Sequence, residues 1–165
     1  IYDYDVLKID PKKYNNISVS STKIRALISE GNIDLANNYL NHPFLIQGTV
    51  VKGRSLGKEI GFPTANINIS KACLEESLRY GVYAVVISIE SGKKYNGVAN
   101  FGVKPTFNSK TPSLEVHFFD FNDEIYGRTA TIEFQKFIRS EMSFESIQNL
   151  REQVESDIKS VRDFF

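Results

Sequence analysis

One feature limits the possible folds of this chain most strongly: from Phe44 to Ile138, short apolar or alternating segments follow one another with turn residues between them. Period-two alternation between Gly- and Pro-containing turns is typical of β-strands, and no segment of helical periodicity interrupts the series. The predicted strands are Phe44 to Val51, Thr64 to Ile69, Gly81 to Ile89, Lys94 to Phe101, Leu114 to Phe121 and Thr129 to Ile138. A mainly β fold, either an antiparallel barrel or a sandwich, is therefore predicted.

Helices are predicted at both ends of this series. After the last strand, Ser143 is a suitable N-cap for a helix that reaches about Phe164. Its apolar residues recur at helical spacing and are expected to pack on the β-structure: Phe144, Ile147, Leu150, Val154, Ile158 and Val161.

Two shorter helices are predicted before the strands. They run from about Lys23 to Glu30, after cap hydroxyls at 20–22, and from about Asp34 to Leu40. Such a pair is too small to form its own core. We therefore interpret residues 1–42 as the end of an upstream domain or a linker packed on the next one, and residues 43–165 as the main domain.

Composition excludes several classes of protein. The hydrophobic share of 41% is ordinary for a globular domain. The net charge is zero, so the composition gives no indication of binding to nucleic acid or to an anionic membrane. No apolar run is long enough to span a membrane. The single Cys73 cannot form an internal disulfide, so a cytoplasmic location is expected. Because the chain begins at Ile1 and its one methionine is Met142, we expect a piece of a longer polypeptide.

The stretch from Gly48 to Asn66, GTVVKGRSLGKEIGFPTAN, contains a candidate phosphate-binding loop. Backbone N–H groups of a Gly-rich loop can surround an anion, and basic side chains supply the complementary charge. The glycines are Gly53, Gly57 and Gly61, and the basic residues are Lys52, Arg54 and Lys58. Their spacing fits neither a Walker A loop nor a Rossmann fingerprint. An ordinary hairpin loop has the same composition, so both interpretations stay open.

The end of this stretch offers candidate metal ligands. Pro63 favours extended backbone, which places Thr64 and Asn66 on one face. A hydroxyl and a carboxamide oxygen are hard ligands of the kind that Mg²⁺ accepts.

Glu115 is the candidate general base. In the predicted strand it shares one face with His117 and Phe119, opposite an apolar face of Leu114, Val116 and Phe118. A carboxylate held between bulky neighbours is suited to accept a proton, whereas a solvated outer-face glutamate shows the same pattern. His117 by itself is interpreted as structural.

Two further groups are ambiguous. Arg139, followed by Glu141, lies between the last strand and the predicted helix, where an arginine can clamp phosphate or form a surface ion pair. The aromatic residues Phe118, Tyr126 and Phe144 can stack on a planar ring or fill a core.

Taken together, these segments resemble the riboflavin kinase family, in particular the kinase module of bacterial bifunctional riboflavin kinase/FAD synthetases. The resemblance rests on Gly48 to Ile67, Asn100 to Phe107, Leu114 to Gly127 and Phe137 to Ser146. Ile17 to Arg25, with the helical pair, is similar to the end of the adenylyltransferase module that precedes this kinase. The N-terminal half of that module is absent from the chain.

The resemblance implies a six-stranded antiparallel Greek-key barrel with a C-terminal helix. It implies ATP-dependent phosphorylation of the riboflavin 5′-hydroxyl to FMN with Mg²⁺, and adenylylation of FMN to FAD in the full-length parent. The implied partners are these substrates, with neither nucleic acid nor a membrane. A non-catalytic flavin- or nucleotide-binding barrel is the alternative.

The resemblance also implies residue roles. Glu115 would be the general base, and Thr64 and Asn66 would hold Mg²⁺. The nucleotide site would comprise Gly53, Lys58, Gly61, Thr64, Asn66, Phe118 and Tyr126. The flavin site would comprise Arg139, Glu141 and Phe144. Met142 departs from the often polar residue of relatives.

Overall fold

The computed structural model describes residues 7, 10–53, 56–69, 78–90, 92–103 and 112–165. Cys73, Arg54 and the second half of the Asn100 to Phe107 motif lie outside the described residues.

Six strands form a closed antiparallel barrel. Of the barrel and the sandwich that the strand pattern allowed, the structure has the barrel that the resemblance implied. They are β3 (Phe44–Val51), β4 (Ala65–Asn68), β5 (Gly81–Ile89), β6 (Lys94–Gly102), β7 (Ser113–Phe118) and β8 (Thr129–Ser140). The order around the barrel is β3-β4-β7-β6-β5-β8. Strand β8 returns to lie beside β5 after the hairpin-connected β5, β6 and β7, which is the Greek-key arrangement.

The apolar pattern of each strand follows from what covers its two faces. In β7, Leu114 and Val116 are buried inside the barrel, while Glu115 between them faces outward. In β5 the apolar run is nearly unbroken because both faces are covered. Tyr83 belongs to the barrel interior, whereas Ala84 packs in a second cluster outside it. Tyr83 also donates its hydroxyl to the Arg79 carbonyl, and burial raises the pKa of this phenol.

The C-terminal helix α4 spans Ile147–Phe164 and covers one side of the barrel. Its Val161 packs with Ala84 of β5 and Phe119. The N-cap is Ser146, whose hydroxyl accepts from the Asn149 N–H at 3.1 Å, so the predicted cap at Ser143 is wrong. Ser146 offers the same side-chain chemistry three residues later, and residues 141–146 form no regular secondary structure. Ile147, one of the apolar residues expected to pack on the β-structure, is 67% exposed at the start of this helix.

Three more helices and a short hairpin complete the described fold. They are β1 (Lys13–Tyr14), β2 (Ile17–Ser18), α1 (Ser21–Glu30), α2 (Ile33–Leu40) and α3 (Leu56–Glu59). The predicted caps of α1 are present: the Ser20 side chain accepts from Lys23, and Gly31 ends the helix with a φ of 86°. The sequence did not predict the single turn α3, which lies within the Gly-rich loop.

Helices α1 and α2 pack on the barrel and share its core, because Ile28, Ile33 and Ala36 belong to the same buried cluster as the barrel interior. The Asn37 carboxamide joins α2 to two strands, donating to the Phe134 carbonyl at 2.9 Å and accepting from the Phe44 N–H at 2.7 Å. In the described part of the chain, no helix combines the length and apolarity needed to cross a membrane.

The C-terminal end of α1 has its own connection to the barrel through Arg79. This guanidinium donates to the Glu30 carbonyl and to the Ser140 hydroxyl, each at 3.0 Å. One side chain therefore joins the end of α1 to the end of β8.

Candidate active site

Three neighbouring strands place a row of polar residues on the outer face of the barrel. Asn66 of β4 lies opposite Glu115 of β7, and Glu115 lies opposite Asn100 of β6. Directly opposed side chains in an antiparallel pair have Cβ atoms about 5 Å apart. The carboxylate of Glu115 is thus flanked by two carboxamides.

Thr64, immediately before β4, completes the group around Glu115. Its hydroxyl donates to Oε2 of Glu115 at 3.5 Å, and both residues are half-buried. The structure therefore brings Thr64, Asn66 and Glu115 together, although 51 positions separate the threonine from the glutamate. One hydroxyl, one carboxamide and one carboxylate converge on the same outer patch.

The Gly-rich loop lies directly on these side chains. A Cβ at Gly53 would overlap the Asn66 carboxamide, and a Cβ at Gly57 would overlap the Phe62 carbonyl and approach Oγ1 of Thr64 to 3.1 Å. The absence of side chains at these two positions is what permits the close approach. Lys58 lies on α3 with its side chain exposed, beside this packing. A Cβ at Gly61 would meet no atom of the described residues within 4 Å, so the φ of 92° rather than crowding explains the glycine.

His117 holds the segment that leads into Thr64. Since a carbonyl can only accept, Nδ1 of His117 carries the hydrogen and donates to the Pro63 carbonyl at 2.8 Å. The imidazole also meets the Phe62 ring edge-on, with centroids 6.0 Å apart. These contacts agree with the interpretation of His117 as structural.

The two aromatic residues expected at the nucleotide occupy different environments. Tyr126 is 51% exposed, and the Lys52 ammonium lies 5.8 Å from the centre of its ring, beside the Gly-rich loop. Phe118 is only 7% exposed and stacks on Phe121 at 4.8 Å within the barrel core. Phe118 therefore belongs to the core and offers a nucleotide little surface, and its place at the nucleotide site stays a prediction. Inward alternation along β7 explains the difference.

A cleft of about 430 Å³ lies between the segment after β8 and the start of α4. Its lining residues are Met142, Ser143, Phe144, Glu145, Asn149, Glu152 and Gln153. Glu141, next to the cleft, rests on the outer face of β6, where a Cβ at Gly102 would overlap its carboxylate. Burial raises the pKa of the Glu141 carboxyl. Glu141 thus lies at the end of β6, and Phe144 lines the cleft that begins at the next residue, Met142.

Arg139 has a different environment from the open phosphate clamp expected of it. Its Nε and Nη2 donate to the Asp157 carboxylate of α4, with Nη2 at 2.6 Å from Oδ2. The Asp157 side chain is 6% exposed, and Gln153 donates to its Oδ1 at 2.9 Å. The guanidinium therefore holds α4 on β8 through a largely shielded ion pair, and a role for Arg139 at the flavin stays a prediction.

Sequence reasoning missed Asp157, Gln153 and Asn100. For Asp157 a signal existed, because it falls between Val154 and Val161 at helical spacing, on the apolar face of α4. A charge in an apolar stripe requires a partner, and Arg139 was available. Asn100 becomes visible only through the strand register, which sequence alone does not fix.

Comparison with known proteins gives a consistent assignment. The family model described as "Flavokinase: Riboflavin kinase" matches residues 40–165. A bifunctional riboflavin kinase/FMN adenylyltransferase of Haemophilus influenzae is 43% identical over 147 residues, covering 89% of this chain and 47% of that protein. A protein of the same description from Buchnera aphidicola subsp. Schizaphis graminum is 41% identical, covering 99% of this chain and 53% of that protein. The chain thus spans about half the length of these curated relatives.

Solved structures support the fold. A Streptococcus pneumoniae protein described as a macrolide-efflux protein matches with a TM-score of 0.82 and 34% identity, over 93% of this chain and 50% of that one. Riboflavin kinase from Trypanosoma brucei matches with a TM-score of 0.55 and 30% identity, over 74% of this chain and 76% of that one.

Proposed function

The chain belongs to the riboflavin kinase family, and on that premise we propose that it transfers the γ-phosphoryl group of ATP to the 5′-hydroxyl of riboflavin, giving FMN and ADP. The observation that carries the proposal is the convergence of Thr64, Asn66 and Glu115 beneath a Gly-rich loop. Phosphoryl transfer depends mainly on positioning and charge stabilisation, for which these groups are sufficient.

The donor set fits Mg²⁺. Thr64 and Asn66 supply neutral oxygen ligands, and Mg²⁺ is usually held by a few protein oxygens together with substrate phosphates and water. The close packing of Gly53 against the Asn66 carboxamide and of Gly57 against Thr64 leaves backbone rather than side chains on the nucleotide side of both ligands. Bound with ATP, Mg²⁺ supplies positive charge that offsets the charge on the β- and γ-phosphates.

Glu115 acts as the general base in this proposal. Its carboxylate accepts the proton of the 5′-hydroxyl as the hydroxyl oxygen forms a bond to the γ-phosphorus, while the bond from that phosphorus to the β,γ-bridging oxygen breaks and ADP leaves. The Thr64 hydroxyl, 3.5 Å from Oε2, orients the carboxylate. The nucleotide lies along Gly53, Lys58 and Gly61, with its planar base against the exposed ring of Tyr126.

The flavin occupies the cleft at the start of α4 in this proposal. Phe144 provides an aromatic surface there, and Glu141 closes the side next to β6. Arg139 acts indirectly: its ion pair with Asp157 positions α4, whose first turns form a wall of the cleft.

The relatives named for two activities are about twice as long as this chain. We propose that a full-length parent also adenylylates FMN to FAD in the cytoplasm, and that residues 1–42 are the end of that adenylyltransferase part. Residues 43–165 would then form the kinase domain.

The direct test is to incubate the protein with riboflavin and Mg-ATP and separate the products by chromatography. FMN and ADP are expected in equal amounts, with no FMN after chelation of Mg²⁺. Flavin or nucleotide binding without ADP release would refute the kinase assignment in favour of a non-catalytic binding barrel. Incubation with FMN and ATP, with detection of FAD, tests the adenylyltransferase activity separately.

A further inference from the structure

Asn100 belongs to the row of outward polar residues with Asn66 and Glu115, but it has no role in the proposed function. It lies on β6 directly opposite Glu115, and its neighbours Ala99 and Phe101 are fully buried in the barrel. Its own side chain is therefore on the outer face, where it is exposed. Among the residues that the structure describes, the Asn100 carboxamide has no hydrogen-bond partner, so its donor and acceptor are available to a ligand.

The next outward position on β6 leads to the flavin side of the site. Gly102 is two residues beyond Asn100, a distance of about 6.7 Å along a strand. The Glu141 carboxylate rests on Gly102, and the cleft lined by Met142 and Phe144 begins beside it. Asn100 thus lies between the candidate base Glu115 and the candidate flavin cleft.

The position of Asn100 matters because the bound substrate must extend from the flavin cleft to Glu115. In riboflavin the reacting 5′-hydroxyl is joined to the ring system by a five-carbon polyol chain with hydroxyls at 2′, 3′ and 4′. With the ring in the cleft and the 5′-hydroxyl at Glu115, the chain crosses the outer face of β6 at Asn100. A carboxamide can donate to one hydroxyl and accept from another.

We propose that Asn100 binds the polyol hydroxyls of the flavin side chain and so makes the enzyme specific for a polyhydroxylated alcohol over a simple primary alcohol. The inference rests on the proposed function, since it requires flavin in the cleft at α4. It assigns Asn100 to substrate selection, separate from the proton transfer at Glu115.

The test compares two flavins and two variants. Riboflavin is compared with 10-(5-hydroxypentyl)isoalloxazine of the same ring substitution, which keeps the terminal hydroxyl and lacks the other three. Asn100→Ala removes the carboxamide. Asn96→Ala is the matched control, because Asn96 is the same residue type, exposed on the same face of β6, four positions earlier. Dissociation constants come from flavin fluorescence quenching, and kcat/KM comes from the FMN assay.

Loss of one or two hydrogen bonds is expected to weaken riboflavin binding by Asn100→Ala about 3- to 10-fold. Binding of the hydroxypentyl flavin should change less than about 2-fold, and Asn96→Ala should match the wild type with both. Equal losses for both flavins would indicate a merely structural role and overturn the proposal, as would unchanged discrimination or no binding of either flavin. Binding needs no turnover, so protein that binds riboflavin without making FMN would refute the kinase assignment alone.

Discussion

Arg139 on β8 and Asp157 on α4 form a two-nitrogen ion pair, with Nε and Nη2 of the guanidinium on the carboxylate and Nη2 at 2.6 Å from Oδ2. Both partners are largely shielded, with 20% and 6% of their side chains exposed. The pair fixes the middle of α4 against the barrel, and Asp157 also accepts from Gln153, which lines the proposed flavin cleft. The resemblance places Arg139 at the flavin, and in the structure its guanidinium binds Asp157 of α4.

Asp157→Ala should destabilise the protein by about 3 kcal/mol, because it leaves a shielded guanidinium without its partner. Urea unfolding followed by circular dichroism measures this. Glu155→Ala is the matched control on the same helix, since its ion pair with Arg151 is about half exposed and is expected to contribute at most about 0.5 kcal/mol. Similar losses for the two variants would contradict a structural role for the Arg139 pair.

Glu115→Gln should reduce the kcat for FMN formation by about 10²- to 10⁴-fold while leaving the thermal midpoint nearly unchanged, because only the proton acceptor is lost. Glu133→Gln, which alters an outward carboxylate paired with Lys94 elsewhere on the barrel, should retain wild-type turnover. Near-normal FMN formation by Glu115→Gln would rule this residue out as the base.

Gly53→Ala should raise the Mg²⁺ concentration needed for half-maximal activity by about 10-fold or more, since its Cβ would displace the Asn66 carboxamide. A magnesium titration at fixed ATP measures the shift. Gly61→Ala strains the same loop through its φ of 92°, but its Cβ would meet none of the described atoms within 4 Å. This variant therefore separates the effect of backbone strain from that of displacing Asn66. An identical magnesium shift in both variants would argue against the proposed metal ligand.

Asn37→Ala should cost about 1–3 kcal/mol of stability, because the Phe44 N–H and the Phe134 carbonyl both lose a partly buried partner. Asn38→Ala is the control, as the neighbouring asparagine is exposed on α2. Denaturant titrations of the two variants provide the comparison. If Asn37→Ala is neutral, α2 is not held to the barrel by these hydrogen bonds.

Glu141→Gln should alter the pH dependence of stability. Burial raises the Glu141 pKa above its ordinary 4.5, so the folded protein keeps a proton that the unfolded chain has released. The associated stability is full below the ordinary pKa and is lost as the pH rises through the folded-state pKa. The neutral glutamine should therefore raise the thermal midpoint at about pH 7 but not at about pH 4. Glu145→Gln, four positions further along the same segment, is the control, and an equal rise there would exclude the partial desolvation of Glu141 as the cause.

Sequence predicted the six strands well because strand periodicity and turn residues are local signals, whereas the choice of a barrel over a sandwich came from the resemblance to riboflavin kinases. The predicted bounds are correct for two strands, Phe44–Val51 and Gly81–Ile89. In both, the apolar residues that mark the strand in the sequence are the ones that pack in the core. The start of α4 was misplaced because Ser143 and Ser146 offer the same cap chemistry, and only packing selects between them. Sequence also identified the residues that meet around Glu115. It could not separate Phe118 from Tyr126, or find the partner of Arg139, because these depend on register and on contacts between distant elements.

Arg79 has a mechanical consequence. Its guanidinium spans from the last carbonyl of α1, at Glu30, to the hydroxyl of Ser140, the residue immediately before Glu141. The side chain of Arg79 therefore links the end of α1 directly to the residue that precedes the segment of the proposed flavin site. Replacing Arg79 would remove both hydrogen bonds at once, so the same substitution would loosen the end of α1 and the end of β8.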